Sequence, residues 1–155
     1  MVEASPILEL DVAPLGDHPP LRVLGIDPFR AGQIQRQLVA GLGGRLLALF
    51  ERDSIALSAA AAAELGVSIG ESLVLRQGAG VREMQVVQVL PESAYPQRLG
   101  LMDIATAQWT FDRSGSINRL DLRLAPGVDV GRFRARLEGL LPAGDRKSTR
   151  LNSSH

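Results

Sequence analysis

Ser54-Ile55-Ala56-Leu57-Ser58-Ala59-Ala60-Ala61-Ala62-Ala63-Glu64-Leu65-Gly66 places a short apolar stretch, a helix cap, a helix and its stop in one unbroken run. The Ser58 hydroxyl can accept from an orphan N–H of a first helical turn. The alanines that follow favour helix and permit close approach to whatever lies beneath, which predicts a helix over Ala59 to Leu65. Gly66 stops it, because glycine tolerates the left-handed conformation that commonly ends helices.

Working outward, Gly66 to Leu75 reads as a turn feeding a strand, and Gly78 and Gly80 predict a hairpin into a strand over Met84 to Leu90. Pro91 to Gly100 is a loop, followed by Leu101-Met102 and a short helix capped by Asp103. On that helix Ala107 and Trp109 are expected to be buried. Asp112 to Gly115 is a turn, and Ile117 to Leu124 alternates as a strand, with Leu120, Leu122 and Leu124 inward and Arg119, Asp121 and Arg123 outward. A last helix, about Val130 to Leu141, sets Phe133, Leu137, Leu140 and Leu141 on one stripe before Pro142.

In the other direction, Glu51-Arg52-Asp53 separates the opening run from the apolar Leu46 to Phe50. Ile7 to Val12 alternates, Leu8, Leu10 and Val12 on one face and Glu9 and Asp11 on the other, which predicts a half-buried strand. Leu21 to Ile26 forms a second strand. Asp27-Pro28 then gives a cap with proline at the first helical position, opening a helix to about Leu38 that Gly41, Gly43 and Gly44 end. This mixed order predicts the α+β class: a single mixed domain with short strands and several short helices, spanning 1–145.

The tail 146–155, RKSTRLNSSH, breaks from everything before it. Lys147 is the only lysine, whereas the preceding chain uses arginine at every basic position. The tail resembles the translated artefacts found at the ends of truncated gene models, and it is expected to be non-native or disordered. Arg146, Lys147 and Arg150 are three of the 17 basic residues, so without them 14 bases face 17 acids, a net charge of −3.

Composition excludes several classes of function. The chain has 155 residues, 45% hydrophobic and 22% charged, enough for a real core and unlike disorder. It has no cysteine, hence no disulfide, thiolate ligand or cysteine nucleophile. No basic stripe is present to neutralise a row of phosphates, so nucleic acid is not an expected partner. No apolar run reaches membrane-spanning length and the first residues do not resemble a signal peptide, so any anchor is expected to lie outside this stretch.

No catalytic, cofactor-binding or metal-binding residues are expected. Outside the tail His18 is the only histidine, in the proline-flanked Asp17-His18-Pro19-Pro20, where a surface-loop role is the simpler account. Neither Ser58 nor Ser72 has a local base, and there is no GxSxG motif. Gly41-Leu42-Gly43-Gly44-Arg45 lacks the spacing of a phosphate loop and reads as a flexible turn. Asp11, Asp27, Asp103 and Asp121 are explained as strand-surface charges or caps. Arg119, Asp121 and Arg123 form a charged row on a strand face and are the candidate interaction surface. A small carboxylate-dependent enzyme and a soluble scaffold or regulatory module remain as alternatives.

Several pieces, in order, carry a family resemblance: Val23-Leu24-Gly25-Ile26-Asp27-Pro28-Phe29; Ile55-Ala56-Leu57-Ser58 through Glu64-Leu65-Gly66; Ile69-Gly70-Glu71-Ser72-Leu73; Met102 to Gln108; and Ile117 to Leu124. Together they resemble the extracytoplasmic region of ABC-transporter permeases of the MacB/FtsX-like superfamily, with a MacB-like periplasmic core. The resemblance implies a region between two membrane helices, outside the cytoplasmic membrane, as one piece of a longer permease. It implies a role in substrate handling, partner contact or force transmission, and no catalysis. The implied partners are an ABC ATPase subunit, reached through the permease's membrane and cytoplasmic parts, and an extracytoplasmic protein. It brings no cofactor.

Overall fold

The computed structural model of the chain describes residues 2–30, 40 and 42–140. They fall into two compact units, Val2–Arg123 and a second that begins at Leu124. The tail and the end of the domain at 145 lie outside the described residues, as does most of the helix expected after Pro28.

The larger unit is built on β1 (Val2–Val12), β2 (Leu21–Ile26), β3 (Ser54–Ser58), β4 (Ser72–Gln77), β5 (Gly80–Leu90) and β6 (Gly100–Asp103), with β7 (Arg119–Leu124) entering through Arg123. They form one sheet in the order β4-β5-β3-β6-β2-β1-β7. Pairing is mixed: β1 with β2, β3 with β6 and β4 with β5 are antiparallel, whereas β2 with β6 and β3 with β5 are parallel. This is the mixed α+β class with short strands and several short helices.

Both faces of the sheet are buried at its centre. On one face Leu8, Val23, Ile55, Leu57, Leu75 and Met84 form a core closed by two helices, α1 (Ala59–Leu65) and α2 (Ile104–Thr110). On the other, Ile7, Leu24, Ile26, Ala56, Leu90 and Leu101 pack with Leu42 and Leu49. Each fully buried Leu or Ile contributes roughly 1.5–3 kcal/mol relative to exposure, which makes these two clusters the main source of stability. β3 is buried at every residue because it lies mid-sheet, covered on both sides.

A bulge sets how β5 serves the two cores. Ile55 pairs with Val86 but Ala56 with Gln88, so Val87 is the extra residue. Before it, Met84 and Val86 face the helix-covered core; after it, Leu90 faces the other. One inserted residue reverses the phase of a period-two pattern.

The run from Ser54 to Gly66 folds as read. Ser58 Oγ accepts from the Ala61 N–H at 3.2 Å and from the Leu99 N–H at 2.9 Å, and Gly66 adopts φ 69°. Asp103 caps α2, its Oδ2 accepting from the Thr106 N–H at 3.1 Å. Asp27 Oδ1 accepts from the Phe29 N–H at 3.1 Å, a cap for the turn that begins at Pro28. The β4–β5 hairpin closes between Gln77 and Gly80, with Gly78 at φ 54°.

Three expectations need correction. Trp109 is 55% exposed, not buried. Its helix turns Ala107, Thr110 and Phe111 inward, and Gly25 permits that approach: a Cβ there would meet the Ala107 Cβ at 2.8 Å. Trp109, two residues beyond Ala107, falls on the outer side of the helix. Second, Gly43 does not belong to a flexible turn. It opens a 3-10 helix, Gly43–Phe50, that buries Leu49. Third, α3 (Val130–Leu140), in the second unit, has no buried residue: Phe133 and Leu137 are half-buried and Leu140 is 81% exposed. The described part of its own unit offers no facing element for that stripe, and Leu141 lies outside the described residues.

Candidate functional site

Glu9 and Asp11 occupy the polar positions of β1, and Arg22 lies opposite Asp11 on β2. Antiparallel pairing brings such cross-strand residues within reach of one another. Arg22 Nη1 lies 2.7 Å from Glu9 Oε1, and Arg22 Nε lies 3.2 Å from Asp11 Oδ1. From the other side, Arg119 Nη1 of β7 lies 3.5 Å from Glu9 Oε2, and Arg119 Nε donates to Asp121 Oδ1 at 2.8 Å. Arg123 Nη1 lies 3.8 Å from Glu3 Oε2. The candidate row therefore joins a ladder of alternating charge, Asp11, Arg22, Glu9, Arg119 and Asp121, across three strands.

The electrostatics follow this geometry. The Arg22 guanidinium is raised above its ordinary range by its hydrogen bond to Asp11 and by the charges of Glu9 and Asp11. At Arg119 burial opposes the charged form, but the Asp121 hydrogen bond and the Asp121 and Glu9 charges outweigh it, and the net shift is upward. Both groups are cations at any physiological pH, so the ladder is a permanent charge array.

Asn118 fixes β7 beside β1. Its Oδ1 accepts from the Glu9 N–H at 2.7 Å, and its Nδ2 donates to the Glu9 carbonyl at 2.7 Å. The side-chain amide thus pairs like a peptide group, just before the strand begins at Arg119. The expectation that Leu120, Leu122 and Leu124 point into a core is corrected here. Leu120 is 52% exposed and Leu122 half-buried, while the Arg119 and Asp121 side chains are only 30% and 19% exposed. β7 ends the sheet, and its charged face is the one that meets the acids of β1. Leu124 belongs to the second unit.

Elsewhere the polar groups knit loops together. His18 Nδ1 lies 3.1 Å from Glu64 Oε2, and Arg98 Nη2 lies 3.1 Å from Glu64 Oε1. Arg98 also donates to the Pro19 and Pro20 carbonyls at 3.3 and 3.0 Å. His18 is thus a loop histidine with a structural partner. Among the described residues no group of three or more His, Cys, Asp or Glu side chains could hold a metal ion. Two described surface concavities, of about 700 and 470 Å³, contain one acid between them, Asp112, so neither offers a carboxylate pair. No described helix is long and apolar enough to cross a membrane.

No family model and no curated protein sequence matches the chain. Solved structures do. The periplasmic region of MacB from Actinobacillus actinomycetemcomitans superposes with a TM-score of 0.53 at 13% identity, covering 88% of this chain and 64% of that one. The extracellular domain of the noncanonic ABC-type transporter YknZ from Gram-positive bacteria superposes with a TM-score of 0.55 at 9% identity, covering 86% of this chain and 68% of that one. The fold is that of a MacB-like periplasmic region.

At such identities the likeness speaks for architecture alone. The chain spans a little under two thirds of the MacB region's length. Within this MacB-like fold the charge ladder and the Asn118 clasp lie at the β7 end of the sheet, the opposite end from the β4–β5 hairpin. Cross-strand ion pairs were not legible in the sequence, because the β1–β7 neighbourhood joins residues more than a hundred positions apart. The one available signal was that Glu9, Asp11, Arg119 and Asp121 fall on polar positions of alternating strands, with Arg22 the one charged residue of β2.

Proposed function

We propose that this chain is the extracytoplasmic region of an ABC-transporter permease of the MacB/FtsX-like kind, with no catalysis of its own. The observation that carries this reading is the shared fold with two such regions, each over more than 85% of the chain. ATP is then hydrolysed by a separate ABC ATPase, coupled through membrane and cytoplasmic parts of the permease. The domain, 1–145 without the foreign tail 146–155, handles substrate, contacts an extracytoplasmic partner or transmits force. Arg119, Asp121 and Arg123 form its contact row on β7, a strand at the end of the sheet. Ion pairing holds Arg119 and Asp121 in place, which favours a rigid surface over a flexible one. The test is fractionation of the intact protein from its native cell. It should stay with the membrane through an alkaline carbonate wash, whereas recovery in the soluble fraction overturns the proposal.

A further inference from the structure

Trp109 is the only tryptophan in the chain, and more than half of it is exposed. Two guanidinium groups converge on its ring: Arg82, on β5, at 4.7 Å from the ring centroid, and Arg52, just before β3, at 5.7 Å. Both distances lie within the range of cation–π attraction. These residues come from three separate segments, so the cluster is a product of the fold and not of local sequence. Neither arginine has a carboxylate partner among the described residues, in contrast to Arg22, Arg98 and Arg119. Arg82 Nε donates to Gln77 Oε1 at 3.1 Å. Gln77 in turn lines the concavity of about 470 Å³ with Gly78, Phe111, Asp112 and Arg113.

We infer that Trp109, Arg82 and Arg52 form a docking surface for an acidic segment of a partner protein. Tryptophan and arginine are the side chains that most often dominate interface energetics, and here both are held in place before any partner arrives. A cation on an aromatic face keeps its N–H edge available, so a carboxylate can bind it without breaking the stack. Two cations without a carboxylate partner among the described residues supply the complementary charge, and the exposed part of the indole supplies apolar area beside it. A protein segment suits the surface better than a bilayer does. Two guanidinium groups lie against the indole ring, so its entry into hydrocarbon would carry their charge with it at a cost, and the adjoining concavity can receive side chains.

The test titrates the full chain at low salt with a short peptide of repeated Glu-Glu-Leu, reading the fluorescence of Trp109. Repeated Lys-Lys-Leu and phosphatidylglycerol vesicles are titrated in parallel. Saturable binding of the acidic peptide is expected, weakened at least tenfold in the Arg52→Gln, Arg82→Gln double variant and by added salt. Arg136→Gln, on α3, serves as the control and should leave the affinity unchanged. Far-UV circular dichroism confirms that each variant is folded. No binding of the acidic peptide, equal binding by the double variant, loss through Arg136→Gln, or preference for the vesicles each overturns the inference.

Discussion

The Asn118 carboxamide pairs with both backbone groups of Glu9, at 2.7 Å in each direction, and so extends the sheet by a side chain where β7 begins. Because the contact is solvent-exposed, water partly replaces it when it is removed. Asn118→Ala should cost about 1–2 kcal/mol in urea unfolding. Asn118→Asp should cost at least as much, since an acceptor would then face the Glu9 carbonyl. The diagnostic readout is hydrogen exchange at the Glu9 amide, which should accelerate in both variants while amides of β3 do not change. Unchanged protection at Glu9 would show that the clasp does not form in solution.

Ser58 is fully buried and serves two backbone donors, Ala61 N–H and Leu99 N–H. Removing the hydroxyl strands both, far from water. Ser58→Ala should destabilise the protein by about 2–4 kcal/mol, more than the roughly 1 kcal/mol expected for a simple exposed cap. A loss below 1 kcal/mol would mean that another group satisfies these donors.

Gly25 and Gly100 test how tightly the sheet is covered. A Cβ at Gly25 meets the Ala107 Cβ at 2.8 Å and the Ile104 backbone at 3.2 Å, whereas at Gly100 its nearest neighbour is the far end of the Ile55 side chain, at 2.9 Å, which can change rotamer. Gly25→Ala should therefore cost roughly 2–3 kcal/mol, and Gly100→Ala less. Adding Ala107→Gly to Gly25→Ala should recover part of the loss. Thermal or urea melts decide it, and the reverse order of costs would contradict the packing described.

The charge ladder should be uneven in strength. The Arg119 and Asp121 side chains are 30% and 19% exposed, against 54% and 60% for Arg22 and Asp11. Screening by water weakens the outer pair, so double-mutant cycles should give about 1 kcal/mol for Arg119–Asp121 and close to zero for Arg22–Asp11. Equal coupling energies would count against the ladder's geometry.

Trp109 should emit as a solvent-exposed indole, accessible to neutral quenchers such as acrylamide. Because it packs against no core, Trp109→Ala should cost less than about 1 kcal/mol. A blue-shifted, unquenchable emission would restore the buried role that helix periodicity first suggests.

What the sequence made legible was local. As helix caps Ser58, Asp103 and Gly66 each act through neighbours three or four positions away, whereas the second bond of Ser58, from the distant Leu99 N–H, was not legible. The alternation of Leu8, Leu10 and Val12 likewise predicts the face that meets the helices. The readings that failed needed knowledge of a distant neighbour. Trp109 looks like core until Gly25 is known to bring Ala107 to the sheet. Leu120 looks inward until β7 is known to end the sheet, with Glu9 beside its charged face. The Phe133–Leu137–Leu140 stripe shows that periodicity predicts an amphipathic helix but not what covers it. For the candidate row, the sequence marked Arg119, Asp121 and Arg123 as a set, but it could not show that they brace β7 against β1.

The proposed function places this domain outside the cytoplasmic membrane as part of a permease. The chain contains no cysteine, so one introduced thiol can report its location. Ser114 is exposed in the turn before β7, and Ser114→Cys is a small change there. In the intact protein, with any cysteine elsewhere replaced, whole cells are treated with a membrane-impermeant maleimide. If the account holds, Cys at this position labels in unbroken cells as completely as after lysis. Labelling only after the cytoplasmic membrane is broken would place the domain inside and contradict it.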